Sequence, residues 1–193
     1  MLTIGDKLPD FSLTALVPGR LADIKATDAN DYFTTVSAGD YPGKWLVLFF
    51  WPKDFTFVCP TEIAEFGRLN SEFAARGAQV LGASVDSEYV HYAWRSQHRD
   101  LVDLPFPMLS DVKRELAGAL GVIGTDGVAE RATFIVDPDG VIQFVMVTAG
   151  SVGRNVPEVL RILDALQTGE LVACGWQKGQ PTIDVVALMA GAA

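Results

Sequence analysis

Two cysteines are the strongest nucleophiles in this chain of 193 residues, and Cys59 stands where a thiol can become reactive. It follows a continuous apolar run at residues 45–51 and precedes a segment whose apolar side chains recur at helical spacing. Cys59 is therefore predicted at the N-terminus of a helix, where unpaired N–H groups and the helix dipole stabilise a thiolate. Because free cysteines are often buried and inert, this position alone leaves a structural role open.

Thr56 lies three residues before Cys59, so one turn of helix would place its hydroxyl beside the sulfur. There the hydroxyl could donate a hydrogen bond to the thiolate or accept one from a substrate O–H, and Thr56 is also a candidate for the N-cap. If the first turn begins near Thr56, Pro60 falls inside the helix and removes one backbone hydrogen bond. We then expect that turn to open locally at low cost.

The segments that must position these residues alternate between strand-like and helix-like patterns. Strands are predicted at residues 45–51, 79–85, 131–136 and 141–147, with a turn at residues 137–140. Helices are predicted at residues 60–76, 87–99, 111–120 and 156–168, with Ser110 and Asn155 as N-caps and Gly121 as a helix end. This order predicts one α/β domain at residues 1–168, a thioredoxin-like fold with an N-terminal extension, and a loose C-terminal tail at residues 169–193.

The composition excludes several classes of partner. A net charge of −9 argues against nucleic acid and against an anionic membrane surface, because both bind basic patches. The strongest apolar runs, at residues 45–51 and 185–193, are far shorter than the roughly 20 residues that span a bilayer. No targeting segment is seen at the N-terminus, so we expect a cytoplasmic protein.

The sequence predicts neither a cofactor nor a metal. It contains no Gly-x-Gly-x-x-Gly or Walker-type motif for a nucleotide or flavin. Two cysteines do not make a disulfide scaffold, and with two histidines at wide spacing they do not suggest a zinc site.

The segment around Cys59 resembles the peroxidatic motif of peroxiredoxins, Pro-x-x-x-Thr-x-x-Cys, which stands here as Pro52, Thr56 and Cys59. The longer run from Phe49 to Glu62, FFWPKDFTFVCPTE, is similar to the alkyl hydroperoxide reductase C (AhpC) branch of that family. The similarity extends from about residue 4 to about residue 183. It includes further motifs in the same order, at residues 94–95, 107–111, 131–140 and 153–155.

The resemblance implies a role for each residue of the motif and for one arginine. Cys59 would attack the peroxide O–O bond and become a sulfenic acid. Thr56 would hydrogen-bond the sulfur and the bound peroxide, and Pro52 would shield the pocket from water. Arg131 would hold the thiolate and stabilise charge as the O–O bond breaks. From the residues alone, Pro52 is equally well a strand terminator and Arg131 a solvated strand-end residue.

Glu62 and Arg154 match a pair that supports the active-site arginine in this family, so the resemblance implies a supporting role for both. An unpaired carboxylate near Cys59 would disfavour the thiolate. We therefore expect Glu62 to be partnered.

The second cysteine, Cys174, follows the last predicted helix. The resemblance assigns it as the resolving cysteine, which attacks the sulfenic acid at Cys59 of another subunit and forms an intersubunit disulfide. Relatives of the AhpC type carry this cysteine four residues before a tryptophan. That position is Val172 in this chain, whereas Cys174 lies two residues before Trp176.

An intersubunit disulfide needs at least a homodimer, and the resemblance implies rings of five or six dimers. It also implies a peroxide substrate and a separate dithiol reductant protein, because the chain has no Cys-x-x-Cys of its own. A thioredoxin, an AhpD-like protein and a flavin-dependent, AhpF-like protein all fit this reductant.

Two other functions stay open on the residues alone. A disulfide oxidoreductase of the thioredoxin type needs Cys-x-x-Cys, and Thr56 occupies the place of its first cysteine. A chaperone-like or scaffolding assembly would need no turnover. Peroxide-dependent oxidation of a reductant, lost in Cys59→Ser, would separate the peroxidase from such an assembly.

Overall fold

The apolar run that leads to Cys59 becomes a central, buried strand of a seven-stranded sheet in a computed structural model, which describes residues 1–191. The strands are β1 (Ser12–Leu16), β2 (Phe33–Ser37), β3 (Trp45–Phe50), β4 (Ala78–Ser84), β5 (Met108–Ser110), β6 (Arg131–Val136) and β7 (Ile142–Thr148). Their order across the sheet is β2-β1-β5-β4-β3-β6-β7. β3 runs parallel to β4 and antiparallel to β6, so the sheet is mixed.

The α-helices of the described residues are α1 (Cys59–Arg68), α2 (Asn70–Ala75), α3 (Glu88–Gln97), α4 (Glu115–Leu120), α5 (Val156–Thr168) and α6 (Val185–Met189). Together with the sheet they confirm the predicted α/β class. None of these helices is long and apolar enough to cross a bilayer. Contacts group the chain into two compact units, Met1–Arg154 and Asn155–Ala193, and the predicted boundary after residue 168 stays a prediction.

The register of β3 and β6 positions one of the predicted site residues. Phe49 lies opposite Thr133, so the start of β6 is beside the end of β3. Arg131 is the first residue of β6. Strand pairing alone therefore places Arg131 next to the loop of residues 51–58, which connects β3 to α1.

Aromatic packing seats α1 on the sheet. The rings of Phe49 on β3 and Phe66 on α1 stack with their centroids 4.0 Å apart. A Cβ at Gly82 would lie 2.9 Å from the Phe49 ring and 3.0 Å from that of Trp51, so glycine leaves the room that these rings need. Successive side chains of a strand point to opposite faces, and Phe50 accordingly joins the separate core cluster that includes α4.

Two predicted helices need correction. The predicted helix at residues 60–76 is two helices, because Leu69 leaves the helical conformation with φ −93° and ψ 3°. The helix predicted at residues 111–120 begins only at Glu115, since Arg114 has a left-handed φ of 61°.

Ser110 is not the N-cap of α4. It ends β5, and its hydroxyl donates a hydrogen bond to the carbonyl of Asp86. The carboxylate of Asp111 caps the helix instead, accepting hydrogen bonds from the backbone N–H groups of Leu116 and Ala117. Gly121 does end α4, with the left-handed φ of 72° that favours glycine.

The second unit begins as predicted and is then more ordered than the loose tail that the sequence predicts. The side chain of Asn155 accepts a hydrogen bond from the N–H of Glu158 and caps α5. Beyond α5, the N–H of Ile183 donates to the carbonyl of Leu171 at 2.8 Å. Trp176 is buried, and its Nε1 donates to the carbonyl of Gln180 at 3.0 Å.

Candidate active site

The loop of residues 51–58 delivers Cys59 into the first turn of α1. The helix begins at Cys59 itself, and Pro60 occupies one of its first positions, where a missing N–H costs no intrahelical hydrogen bond. The expectation that Pro60 interrupts a helical turn is therefore wrong. Thr56 is not the N-cap either, because Val58 holds that position and the Thr56 hydroxyl donates to the carbonyl of Lys53 at 2.9 Å.

Cys59 is buried, with 1% of its surface exposed, and an arginine lies beside it. Nη1 of Arg131 is 3.5 Å from Sγ of Cys59. Arg131 is itself buried, and its Nη2 donates to the carbonyl of Gly150 at 2.7 Å, which holds the guanidinium in place. A cation at this distance faces any negative charge that develops on the sulfur.

The charge of Arg131 is secured by its neighbours. Burial alone would lower the pKa of Arg131, but the hydrogen bond to Cys59 and the negative charge of Glu62 outweigh burial and raise it above its ordinary value. The positive charge next to the sulfur is therefore permanent.

Glu62 lies in the first turn of α1 and uses both oxygens of its buried carboxylate. Oε1 accepts hydrogen bonds from the backbone N–H and from Nε of Arg154, at 2.7 and 2.9 Å. Oε2 accepts one from Nη2 of Arg154 at 3.1 Å and one from Nη1 of Arg131. The carboxylate is thus partnered, as its position near a thiolate requires.

Arg154 ties this cluster to β6. Its Nη1 donates to the carbonyl of Ala132 at 2.8 Å and to Oγ1 of Thr133 at 3.1 Å. Burial lowers the pKa of Arg154, and the Glu62 carboxylate opposes that effect. Two arginines and one carboxylate leave one excess positive charge in the cluster. A thiolate at Cys59 neutralises it.

A cavity of about 560 Å³ lies beside Cys59, which is one of its lining residues. Four of the predicted residues line it together: Pro52, Thr56, Cys59 and Arg131. Pro52 is half-buried, consistent with a side chain at the wall of the cavity. Glu62 accepts hydrogen bonds from both Arg131 and Arg154, so the two predicted supporting residues hold Arg131 in position.

The cavity also has charged lining residues that the sequence analysis missed, Lys53, Asp126 and Glu130. Nζ of Lys53 lies 3.6 Å from the Asp126 carboxylate, and both side chains are more than half exposed. Lys53 and Glu130 adjoin Pro52 and Arg131 in the sequence, which is a signal that could have found them. Asp126 is separated from every motif and carries no such signal.

Cys174 belongs to the second unit and is exposed in a turn. The N–H of Trp176 donates to the carbonyl of Ala173 at 3.1 Å and closes that turn, and Gly175 supplies a φ of 69°. Arg161 of α5 donates to the Trp176 carbonyl at 2.8 Å. Both cysteines are free thiols, and residues 1–191 contain no group of three potential metal ligands.

Comparison with known proteins adds a family and several relatives. The model of the AhpC/TSA family matches residues 4–145. The alkyl hydroperoxide reductase C of Mycolicibacterium smegmatis is 64% identical over 192 residues, which covers 100% of this chain and 98% of that protein.

Solved structures agree with this likeness. The AhpC of Mycobacterium bovis is 63% identical, with a TM-score of 0.87, and the match covers 92% of this chain and 99% of that one. A reduced 2-Cys peroxiredoxin of Plasmodium vivax is 30% identical, with a TM-score of 0.84, over 97% and 98% of the two chains. Each match extends over nearly the whole chain.

Proposed function

We infer that this chain, which belongs to the AhpC/TSA family and is a thiol-dependent peroxidase with the thioredoxin-like fold of the peroxiredoxins, uses Cys59 to attack the peroxide. The observation that carries this assignment is the position of Arg131 Nη1, 3.5 Å from Sγ of Cys59. It lies in a cavity whose lining also includes Thr56 and Pro52.

The first step joins sulfur to oxygen. The thiolate of Cys59 attacks one peroxide oxygen, an S–O bond forms and the O–O bond breaks. The other oxygen leaves as hydroxide or alkoxide and takes up a proton, so the products are a cysteine sulfenic acid and water or an alcohol. Arg131 faces the charge that moves from sulfur to the leaving oxygen, and its fixed position stabilises that charge without reorganisation.

Thr56 and Pro52 orient and protect the peroxide. The hydroxyl hydrogen of Thr56 is engaged by the carbonyl of Lys53, so its oxygen is left to accept a hydrogen bond from the substrate O–H. Of the two roles that the sequence left open for this hydroxyl, the structure favours acceptance from substrate. Pro52 covers the wall of the cavity with an apolar ring.

Glu62 and Arg154 position the arginine. Arg131 reaches the sulfur with Nη1 while the same nitrogen donates to Glu62. Glu62 is in turn held by three hydrogen bonds from Arg154. Their proposed contribution is geometric and electrostatic, and neither contacts the substrate.

Cys174 is the proposed resolving thiol, carried on a tail that follows a domain ending at residue 168. It attacks the sulfenic sulfur at Cys59 of another subunit, which forms an intersubunit disulfide and releases water. A separate dithiol protein, such as a thioredoxin or an AhpD-like or AhpF-like protein, then reduces the disulfide. This cycle requires at least a homodimer, which we propose assembles into a ring. We also propose that the protein works in the cytoplasm, where reductants keep free thiols reduced.

The test follows peroxide consumption with dithiothreitol as the electron donor and, in separate samples without dithiothreitol, disulfide formation on non-reducing gels. Wild type should consume hydrogen peroxide and form a disulfide-linked dimer, and Cys59→Ser should lose both. Cys174→Ser should still oxidise Cys59 once but form no dimer. A dimer that persists in Cys174→Ser would contradict the resolving role, and consumption that persists in Cys59→Ser would contradict the nucleophile.

A further inference from the structure

A second buried polar network lies at the loop of residues 51–58, and the mechanism above does not use it. Its centre is the carboxylate of Asp54, whose Oδ1 accepts a hydrogen bond from Nε1 of Trp51 at 2.7 Å. Oδ2 lies 2.6 Å from Nδ1 of His91 on α3. Nε2 of the same ring lies 3.2 Å from the carbonyl oxygen of Leu109 on β5. The network therefore joins the loop to two elements, α3 and β5.

The geometry defines the protons of this network. A carbonyl oxygen only accepts, so Nε2 of His91 carries a hydrogen toward Leu109. At 2.6 Å, Nδ1 and the Asp54 carboxylate also need a proton between them, because two lone pairs would repel at that distance. The contact is a short hydrogen bond between two fully buried side chains.

The residue that follows this bond adopts a costly conformation. Phe55 has φ 57°, a left-handed value that a bulky side chain adopts at a cost of about 1–2 kcal/mol. Its ring stays half exposed, so burial of the ring does little to offset that cost. On the other side, the backbone N–H of Asp54 donates to the carboxylate of Asp86 at 2.8 Å. Asp54 thus holds the bend that leads to Thr56 and Cys59 through both its side chain and its backbone.

We propose that Asp54 and His91 are positioning residues that hold the loop of residues 51–58 closed and set the rate at which Cys59 leaves its cavity after oxidation. A buried Cys59 cannot meet another thiol without such an opening. The catalytic part of this inference rests on the proposed function of Cys59 and Cys174, whereas the structural part does not.

The first experiment measures loop opening directly, by amide hydrogen exchange of residues 53–59 in the reduced protein. His91→Phe keeps an aromatic ring but removes both nitrogens, and Trp51→Phe removes the donor to Oδ1 together with part of a buried ring. Leaving a buried carboxylate short of a partner should speed exchange of the loop roughly tenfold in His91→Phe, and less in Trp51→Phe. Asp54→Asn should keep most of the wild-type protection, because an amide can still accept from Trp51 and donate to a neutral His91 ring.

Leu120→Ala is the matched control, since Leu120 is fully buried in the core cluster with Phe50, and none of the side chains of Trp51, Asp54 and His91 belongs to that cluster. It should lower the melting temperature without a selective change in the loop. Loop exchange in His91→Phe and Trp51→Phe that is no faster than in Leu120→Ala would overturn the proposal.

The second experiment measures the two chemical steps by stopped-flow after one equivalent of hydrogen peroxide. In His91→Phe the conversion of sulfenic acid to disulfide should be roughly tenfold faster, in step with loop opening, a gain that general destabilisation does not produce. A disulfide step that stays at the wild-type rate while the loop exchanges faster would overturn the catalytic part. If wild-type Cys59 is not oxidised at all, the proposed function fails, and the exchange data still decide the role of the pair.

Discussion

The two cysteines of this protein are held in opposite ways. Cys59 is buried at the start of a helix, beside an arginine whose position is determined by a carboxylate, a second arginine and a backbone carbonyl. Cys174 is exposed in a turn of the second unit, held by backbone hydrogen bonds and by one contact from Arg161. The difference matches two chemical tasks. Attack on a peroxide needs charges in fixed places, whereas attack on a sulfenic acid of another chain needs access.

The difference should be visible first in stability. Glu62→Gln leaves Arg131 and Arg154 buried without their anion, and breaking such a pair costs about 3–5 kcal/mol. Urea denaturation should show a loss of that size in the free energy of unfolding, together with slower oxidation of Cys59. Arg68→Gln, which removes an exposed ion pair on the same helix, is the control and should change stability little. Equal losses in the two variants would contradict the buried cluster.

The next largest effect separates the charge of Arg131 from its shape. Arg131→Lys keeps a cation but cannot reach Cys59, Glu62 and the Gly150 carbonyl at once, because an ammonium lacks the planar fork of donors. The second-order rate constant for oxidation by hydrogen peroxide should fall roughly 100-fold, the usual loss when one preorganised donor is removed. Disulfide formation from an already oxidised Cys59 should change far less. A uniform slowing of both steps would mean that Arg131 acts through folding.

Much of the Cys59 site could be predicted because its parts lie in short motifs. The junction of an apolar strand with a helix predicts the reactive thiol, and the register of β3 with β6 accounts for Arg131. The pairing of Asp54 with His91 could not be predicted, because 37 residues separate them and only tertiary packing brings them together. The roles inferred for Thr56 and Pro60 as a cap and a helix interruption required a helix that starts near Thr56, and they failed because α1 begins at Cys59.

Other parts of the fold gave weaker signals. The sequence does not predict β1, β2 and β5, because these strands are only three to five residues long and their alternation is too brief to indicate a strand. The break between α1 and α2 falls at Leu69, where there is no proline or glycine to predict it. The order of the residues after α5 depends on Trp176, whose burial is a tertiary property.

A third variant asks whether the Cys174 region can be loosened without harm to Cys59. Trp176→Ala removes a buried side chain and its hydrogen bond to the Gln180 carbonyl, a truncation that costs about 3 kcal/mol or more. Amide exchange of residues 171–183 should approach the unprotected limit, and the disulfide should form more slowly because Cys174 is no longer presented in its turn. Oxidation of Cys59 by one equivalent of peroxide should stay at the wild-type rate. Slower oxidation of Cys59 would show that the two regions are coupled.

The smallest effect concerns the ion pair that supports the turn from α5. Glu158 accepts two hydrogen bonds from Arg161, at 2.7 Å each, and these lower the pKa of Glu158 from its ordinary value of 4.5. A depressed carboxylate pKa stabilises the folded state above the unfolded value and loses that contribution as the pH falls through the folded value. The Glu158 side chain is more than a third exposed, so solvent screening limits the pair to about 0.5 kcal/mol. Amide exchange of residues 171–183 should therefore be slightly faster in Glu158→Gln than in wild type at pH 7, with the difference shrinking as the pH falls below 4.5. A difference that is unchanged in acid would mean that the packing of Glu158, and not its charge, supports the turn.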